Sequence, residues 1–150
     1  MRVYSKRLIS GEFIYSNTPE NANGWKYTML TGMDVQTDII PSQEYHEQFF
    51  SLFMNGMLRF KTGYSWDGAS GGCPDHDSIM FGSCVHDACC QLFHMGIISK
   101  AGRIKADDLL YEIVRCEMLV RANGYFWKRI WANNWSRLVW IAVRGYTFTQ

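Results

Sequence analysis

Apolar and polar positions alternate along the first third of the chain. Trp25, Tyr27 and Met29 recur at every second position, and Met33, Val35, Thr37 and Ile39 resume the alternation after a turn at Thr31-Gly32. A period of two sends successive side chains to opposite faces of a strand, so this pattern predicts a β-hairpin or meander with one face buried. The polar run from Ser16 to Gly24, with Pro19, Asn21 and Asn23, predicts a loop. Pro41-Ser42-Gln43-Glu44 has the composition of a helix start. Gln48 to Met54 is a short aromatic-rich segment ending at Asn55-Gly56, and Met57 to Phe60 predicts one more strand.

The second half reads as helical from Ser78. Ser83 is a candidate cap for a longer helix running to about Phe93, with Gly96 near its end. Gly102 separates it from a helix over 103–122, closed by Asn123-Gly124, and an aromatic helix follows over 126–144. The expected fold is α+β: a small N-terminal antiparallel sheet packed with three main C-terminal helices. One domain is expected over 1–150, with strands mainly in 1–62, a glycine-rich loop in 63–77 and helices in 78–145.

Composition narrows the class without naming it. Hydrophobic residues make up 47% of the 150 and charged residues 19%, which indicates neither disorder nor a membrane span. A net charge of +1 gives no strong nucleic-acid signal. The first residues, Met1-Arg2-Val3-Tyr4-Ser5-Lys6-Arg7, lack the apolar stretch of a secretory signal. The five cysteines are therefore expected to be reduced thiols rather than a disulfide framework.

Reactive side chains concentrate in two stretches. One is Gly63-Tyr64-Ser65-Trp66-Asp67-Gly68-Ala69-Ser70, a glycine-rich turn with an acid and a hydroxyl. The other is Ser83-Cys84-Val85-His86-Asp87-Ala88-Cys89-Cys90, a helix carrying a His-Asp pair. Adjacent residues on a helix point about 100° apart, so His86 and Asp87 address a site from two directions. On the 103–122 helix, Asp107 falls about 60° from Leu110, at the edge of the apolar face, whereas Asp108 lies about 160° away and faces water. Asp107 is thus the candidate acceptor that orients His86. Arg103 and Glu117 also fall near the apolar face. Both are expected to carry their charged heads to solvent at the helix ends.

These residues, in this order, resemble a phage-associated family known as domain of unknown function 1353. Its pattern is a Gly-Phe-x-Thr-Asp-Gly-Ala-Ser turn, a His-Asp-x-x-Tyr helix and an Ala-Asp-x-x-Phe helix. Asp67, Ser70, His86, Asp87 and Asp107 match it position by position, Cys90 replaces the aromatic residue and Leu110 replaces Phe. The insert from Gly71 to Asp77 replaces a shorter turn. The resemblance covers roughly 57–145, implies phage or prophage origin, and brings no established activity. A weaker likeness of layout is to phospholipase A2, where a glycine-rich loop and a His-Asp helix bind calcium and a second helix supplies an Asp to the His. His86, Asp87, Cys89 and Asp107 match that scheme, without its disulfides.

Three functions follow from these residues. The first is a hydrolase. His86 would be the base, oriented by Asp107, and would activate water or the Ser70 hydroxyl. Asp67 and Asp87 would hold a divalent cation such as calcium. The second is a zinc-stabilised module built from Cys73, His76, Cys90 and His94. The third is a non-enzymatic phage protein, a virion component or an inhibitor of a host system, in which the polar set is a folding network. The expected location is host cytoplasm or virion, and a host or phage protein is the expected partner. In the last helix, Trp127, Trp131, Trp135, Leu138 and Ala142 share a face among Lys128, Arg129, Arg137 and Arg144. The expectation is that this face covers the small sheet. Contact with a membrane surface or stacking on single-stranded nucleic acid are the alternatives.

Overall fold

A computed structural model of the chain describes residues 1–18, 24–69 and 74–149. Among these residues, eight short strands precede three helices. They are β1 (Leu8–Gly11), β2 (Tyr15–Asn17), β3 (Tyr27–Met29), β4 (Met33–Gln36), β5 (Tyr45–His46), β6 (Phe50–Leu52), β7 (Met57–Phe60), β8 (Ser65–Trp66), α1 (Asp77–His94), α2 (Lys100–Arg121) and α3 (Phe126–Thr149). The strands form two antiparallel sheets, one in the order β1-β4-β7-β6-β5 and one in the order β2-β3-β8. The α+β class expected from the sequence is the class observed.

The alternation marked the buried face correctly. Met29, Met33, Val35, Thr37 and Ile39 are all buried, while Trp25 is partly exposed. In β4 and β7, Met33 lies opposite Phe60 and Val35 opposite Leu58, so both strands send the same set inward. The hairpin across Thr31-Gly32 does not form. β3 pairs with β2 and β8, whereas β4 pairs with β1 and β7. The backbone explains the switch: Met29 exchanges hydrogen bonds with Tyr64 and Gly63, and Leu30 N–H donates to the Ile14 carbonyl, which ties this end to the smaller sheet.

Pro41 to Glu44 starts no helix. Tyr45 and His46 instead pair with Leu52 and Ser51. So short a segment could not recover the cost of nucleating a helix, whereas pairing to β6 satisfies its backbone at once. Ser16 and Asn17, read as loop, belong to β2. Ser83 caps nothing: α1 is one helix capped by His76, and the Ser83 hydroxyl donates to the Met80 carbonyl.

One face of α1 lies on the sheets, where Phe81, Cys84, Val85, Ala88 and Leu92 meet Phe13, Leu58, Phe60 and Trp66. Its other side meets α2. Gly82 makes this approach possible, because a Cβ there would sit 3.0 Å from Leu110 Cδ1 and 3.2 Å from Val114 Cγ2. A second apolar cluster joins Ile79 of α1, Leu110, Val114 and Met118 of α2, and Ala132, Val139 and Val143 of α3.

The last helix therefore packs on α1 and α2, and its Trp face does not cover a sheet. Trp127, Trp131 and Leu138 are exposed, and Ala132, Ser136, Val139 and Val143 are the buried side. Of the residues expected to form a core face, Trp127, Trp131, Leu138 and Ala142 lie on the outer face, and Trp135 packs against the edge of this second cluster. Arg103 and Glu117 also depart from expectation: both are buried, not snorkelling. Glu117 Oε1 accepts from the backbone N–H groups of Tyr4 (2.7 Å) and Ser5 (2.8 Å), fastening the first residues to α2.

Candidate functional site

α1 and α2 run antiparallel, since Gly82 meets Leu110 and Val114 while His86 meets Asp107. The connection is short. Gly96 turns with φ +74°, and Ser99 caps α2 by accepting from Gly102 N–H at 3.2 Å. This geometry brings His86 Nε2 to 2.9 Å from Asp107 Oδ1. His86 is 3% exposed and Asp107 not at all.

Two guanidinium groups share that carboxylate. Arg103, one turn before Asp107, donates to Oδ1. Arg144, from α3, places Nε 3.6 Å from Oδ2 and also donates to Asp108. A buried carboxylate needs such partners to stay ionised in a medium that solvates it poorly. The cluster thus joins all three helices through one residue.

Two contacts at Nε2 of His86 pull its tautomer in opposite directions, and the charged carboxylate is the stronger of them. Arg103 is always a donor and lies 3.0 Å from Nε2, and the Asp107 oxygen is always an acceptor when charged. Placing the proton on Nε2 lets it donate to Asp107, and Arg103 then donates to the same carboxylate. Nδ1 is left as an acceptor, with the Cys90 sulfur 3.6 Å away. Burial holds the His86 pKa below its ordinary value, although the Asp107 hydrogen bond works the other way. The Cys90 thiol is pushed up to about 12, chiefly by burial, so it is a thiol and not a thiolate near neutral pH.

The glycine-rich turn is held by two acids. Asp75 Oδ1 accepts from Ala69 N–H at 2.7 Å and Asp75 Oδ2 from the Tyr27 hydroxyl at 2.9 Å. Gly68 has φ +85°, and a Cβ there would run into the Asp75 carboxylate and the Tyr27 ring. Asp87 Oδ2 lies 3.4 Å from the backbone nitrogen of Asp67. The turn therefore does sit beside α1, but Asp67 presents its N–H to Asp87, and its own side chain is exposed. Ser70 and Cys73 lie outside the described residues.

Among the described residues, no three His, Cys, Asp or Glu side chains converge to hold a metal. The zinc set has a geometric problem of its own. His76 caps the start of α1, where Nδ1 accepts from Ser78 N–H at 3.3 Å, whereas Cys90 and His94 occupy its last turns. Fourteen residues of helix separate His76 from Cys90 by about 21 Å, and zinc ligands stand roughly 2.0–2.3 Å from the ion. His76 and Cys90 cannot bind the same zinc.

A cleft of about 580 Å³ opens elsewhere, between the Gly63–Ser65 turn and the C-terminal end of α1. Trp25, Phe49, Tyr64, Gln91, His94 and Met95 are among its walls, and Gln91 Nε2 donates to the Tyr64 hydroxyl at 3.1 Å. His94, expected in a zinc site, lines this cleft instead.

Sequence reasoning brought His86 and Asp107 together, and missed two residues around them and one that holds the glycine-rich turn. Arg103 had a readable signal, the i,i+4 spacing to Asp107. Asp75 sits in an irregular insert with no periodicity. Arg144 reaches the cluster only through the packing of α3, which no local pattern encodes. Comparison with family models, with curated proteins and with solved structures gave no match to the chain.

Proposed function

We propose that this protein works by binding rather than catalysis, as a phage-encoded structural or host-directed protein whose His86 cluster is a folding network. The observation that carries this reading is the fully buried Asp107 carboxylate, shared among Arg103, Arg144 and His86. In a catalytic pair the orienting acid stabilises the imidazolium that forms when the base takes a proton. Here two guanidinium groups already neutralise that charge. The cavity that touches His86 has a volume of about 10 Å³, no more than a single water needs. The phage assignment rests on the resemblance of Asp67, Ser70, His86, Asp87 and Asp107 to the family motif. The cleft beside Tyr64 and His94, within the usual size range of ligand sites, supports a binding role.

A second reading, hydrolysis, is favoured by one observation. With its Nε2 proton donated to Asp107, His86 keeps Nδ1 as a base in the tautomer that proton abstraction requires. One experiment separates the two. Wild type and His86→Gln are assayed against a panel of esters, peptides and phosphodiesters, with and without calcium, and their melting temperatures are compared. The binding reading expects no turnover and a lowered melting temperature in the variant. Turnover in wild type that His86→Gln abolishes while the fold persists would establish the hydrolase.

A further inference from the structure

Among the described residues, the outer face of α3 carries the largest group of exposed apolar side chains on one element. Trp127 is 78% exposed, Trp131 59%, Leu138 57% and Ile141 57%, and Ile130 is also exposed. At 100° per residue all five lie within about 60° of Trp127. They form a stripe along a helix whose opposite side, through Ala132, Val139 and Val143, is already packed on α2 and α1. Tyr125 and Phe126, exposed at the start of α3, extend it at one end. An exposed apolar stripe of this kind, interrupted at its middle by Asn134, marks a contact.

Charge says what covers it. α3 holds Lys128, Arg129, Arg137 and Arg144 and no acid, although the whole chain has fourteen acids and a net charge of only +1. The rest of the chain is therefore net negative, and the positive charge is gathered on this helix. Arg144 is engaged with Asp107 and Asp108. Lys128, about 100° from Trp127, and Arg137, about 80° to the other side, flank the stripe. Arg115 of α2 stands beside Arg137 and donates to Asn133 at 3.0 Å. Among the described residues, Lys128, Arg129, Arg137 and Arg115 have no carboxylate within ion-pair reach.

We infer that α3 lies flat on an anionic lipid bilayer, with Trp127, Trp131, Leu138 and Ile141 in the headgroup and acyl boundary and Lys128, Arg137 and Arg115 against lipid phosphates. Tryptophan favours that boundary because its ring is apolar and its N–H is polar. An apolar stripe between cations is the pattern of a helix that rests in the interface. Crossing is a different matter: among the described residues no helix is long and apolar enough to span a membrane. A second copy of the chain fits less well. A two-fold pairing of α3 would face cations with cations and bring no acid from the same helix to relieve them. The inference stands on the outer face of α3 and the adjoining Arg115 of α2, and holds whichever reading of the His86 cluster is correct.

The test is co-sedimentation of the full chain with vesicles of phosphatidylcholine alone or mixed with phosphatidylglycerol. The expected result is binding to the mixed vesicles, little to phosphatidylcholine alone, and release as salt is raised. Trp127→Ser with Trp131→Ser should weaken binding on the order of tenfold or more. Lys128→Gln with Arg137→Gln should weaken it roughly fivefold per cation removed. Both side-chain pairs are exposed, so unchanged melting temperatures will show that the variants remain folded. The proposal is overturned if wild type stays in the supernatant with the mixed vesicles, or if the Trp variant binds as well as wild type. A wild-type dimer in light scattering that the Trp variant dissolves also overturns it, because a second copy then covers the stripe.

Discussion

The imidazole of His86 donates to the carboxylate of Asp107 across 2.9 Å, joining α1 to α2 at a point that solvent does not reach. Arg144 brings α3 to the same oxygen pair. The cost of breaking this arrangement follows from what stays behind.

Asp107→Asn removes the charge and leaves two guanidinium groups largely buried. Stranding a buried charge in this way costs about 3–5 kcal/mol. Asp108, with its side chain 58% exposed, provides the contrast: Asp108→Asn should cost less than about 1 kcal/mol despite its ion pair with Arg144. Denaturant melts of the two variants against wild type check both values. Equal effects would show that the buried cluster holds nothing together.

Stability should fall as the solution is acidified below about pH 6.5. His86 is buried neutral, with a pKa lowered from its ordinary 6.5. Above that value neither the folded nor the unfolded chain protonates this ring. Below it the unfolded chain takes a proton that the folded chain refuses, so unfolding gains by up to about 1.4 kcal/mol per pH unit. The loss stops once pH falls through the lowered folded value. Asp34 and Asp38, held below the ordinary 3.8 chiefly by hydrogen bonds from Arg59 and Arg7, contribute stability above 3.8 that is lost in a lower window. Melts from pH 7.5 to pH 5 should show the slope in wild type and a flatter line in His86→Gln.

Thiol chemistry separates the cysteines. Burial raises the Cys84 and Cys89 thiols well above the ordinary range and Cys90 to about 12. The Cys116 thiol, on the outer part of α2, is raised as well, but by a shallower burial than that of Cys90. Among the four described cysteines, iodoacetamide at neutral pH should label Cys116 first and leave Cys84, Cys89 and Cys90 until the chain is denatured, as peptide mass spectrometry will show. Rapid labelling of Cys90 in the native protein would count against a neutral, inert thiol beside His86.

Glu117→Ala should release the first residues of the chain. The Tyr4 and Ser5 N–H groups lose their acceptor, and that of Ser5 is buried, so roughly 1–3 kcal/mol is lost. Hydrogen exchange at those two amides should rise well before any change at Asp107. Glu117→Gln keeps the acceptor oxygen and should lose less.

Local pattern alone determines a good part of this protein. Period two in Met33, Val35, Thr37 and Ile39 marks the buried face of its strand, because alternation follows from backbone geometry. The inward angle of Asp107 and the outward angle of Asp108 come from helical arithmetic, and both hold. His86, on the helix just across a short connection, is the natural partner for such an acid. These are local properties, set by the few residues on either side.

Tertiary packing decided the rest. Which sheet receives β3 depends on partners at Tyr15–Asn17 and Ser65–Trp66, and no pattern within Tyr27–Met29 names them. Arg144 reaches Asp107 from a distant part of the chain, through a docking of α3 that its own amphipathic pattern could not orient. That helix has an apolar side built from Ala132, Val139 and Val143 and another built from Trp127, Trp131 and Leu138. Hydrophobicity favoured burying the tryptophans. Close packing favoured the small and β-branched residues, because only they let α3 approach α2 closely enough to bring Arg144 to its carboxylate.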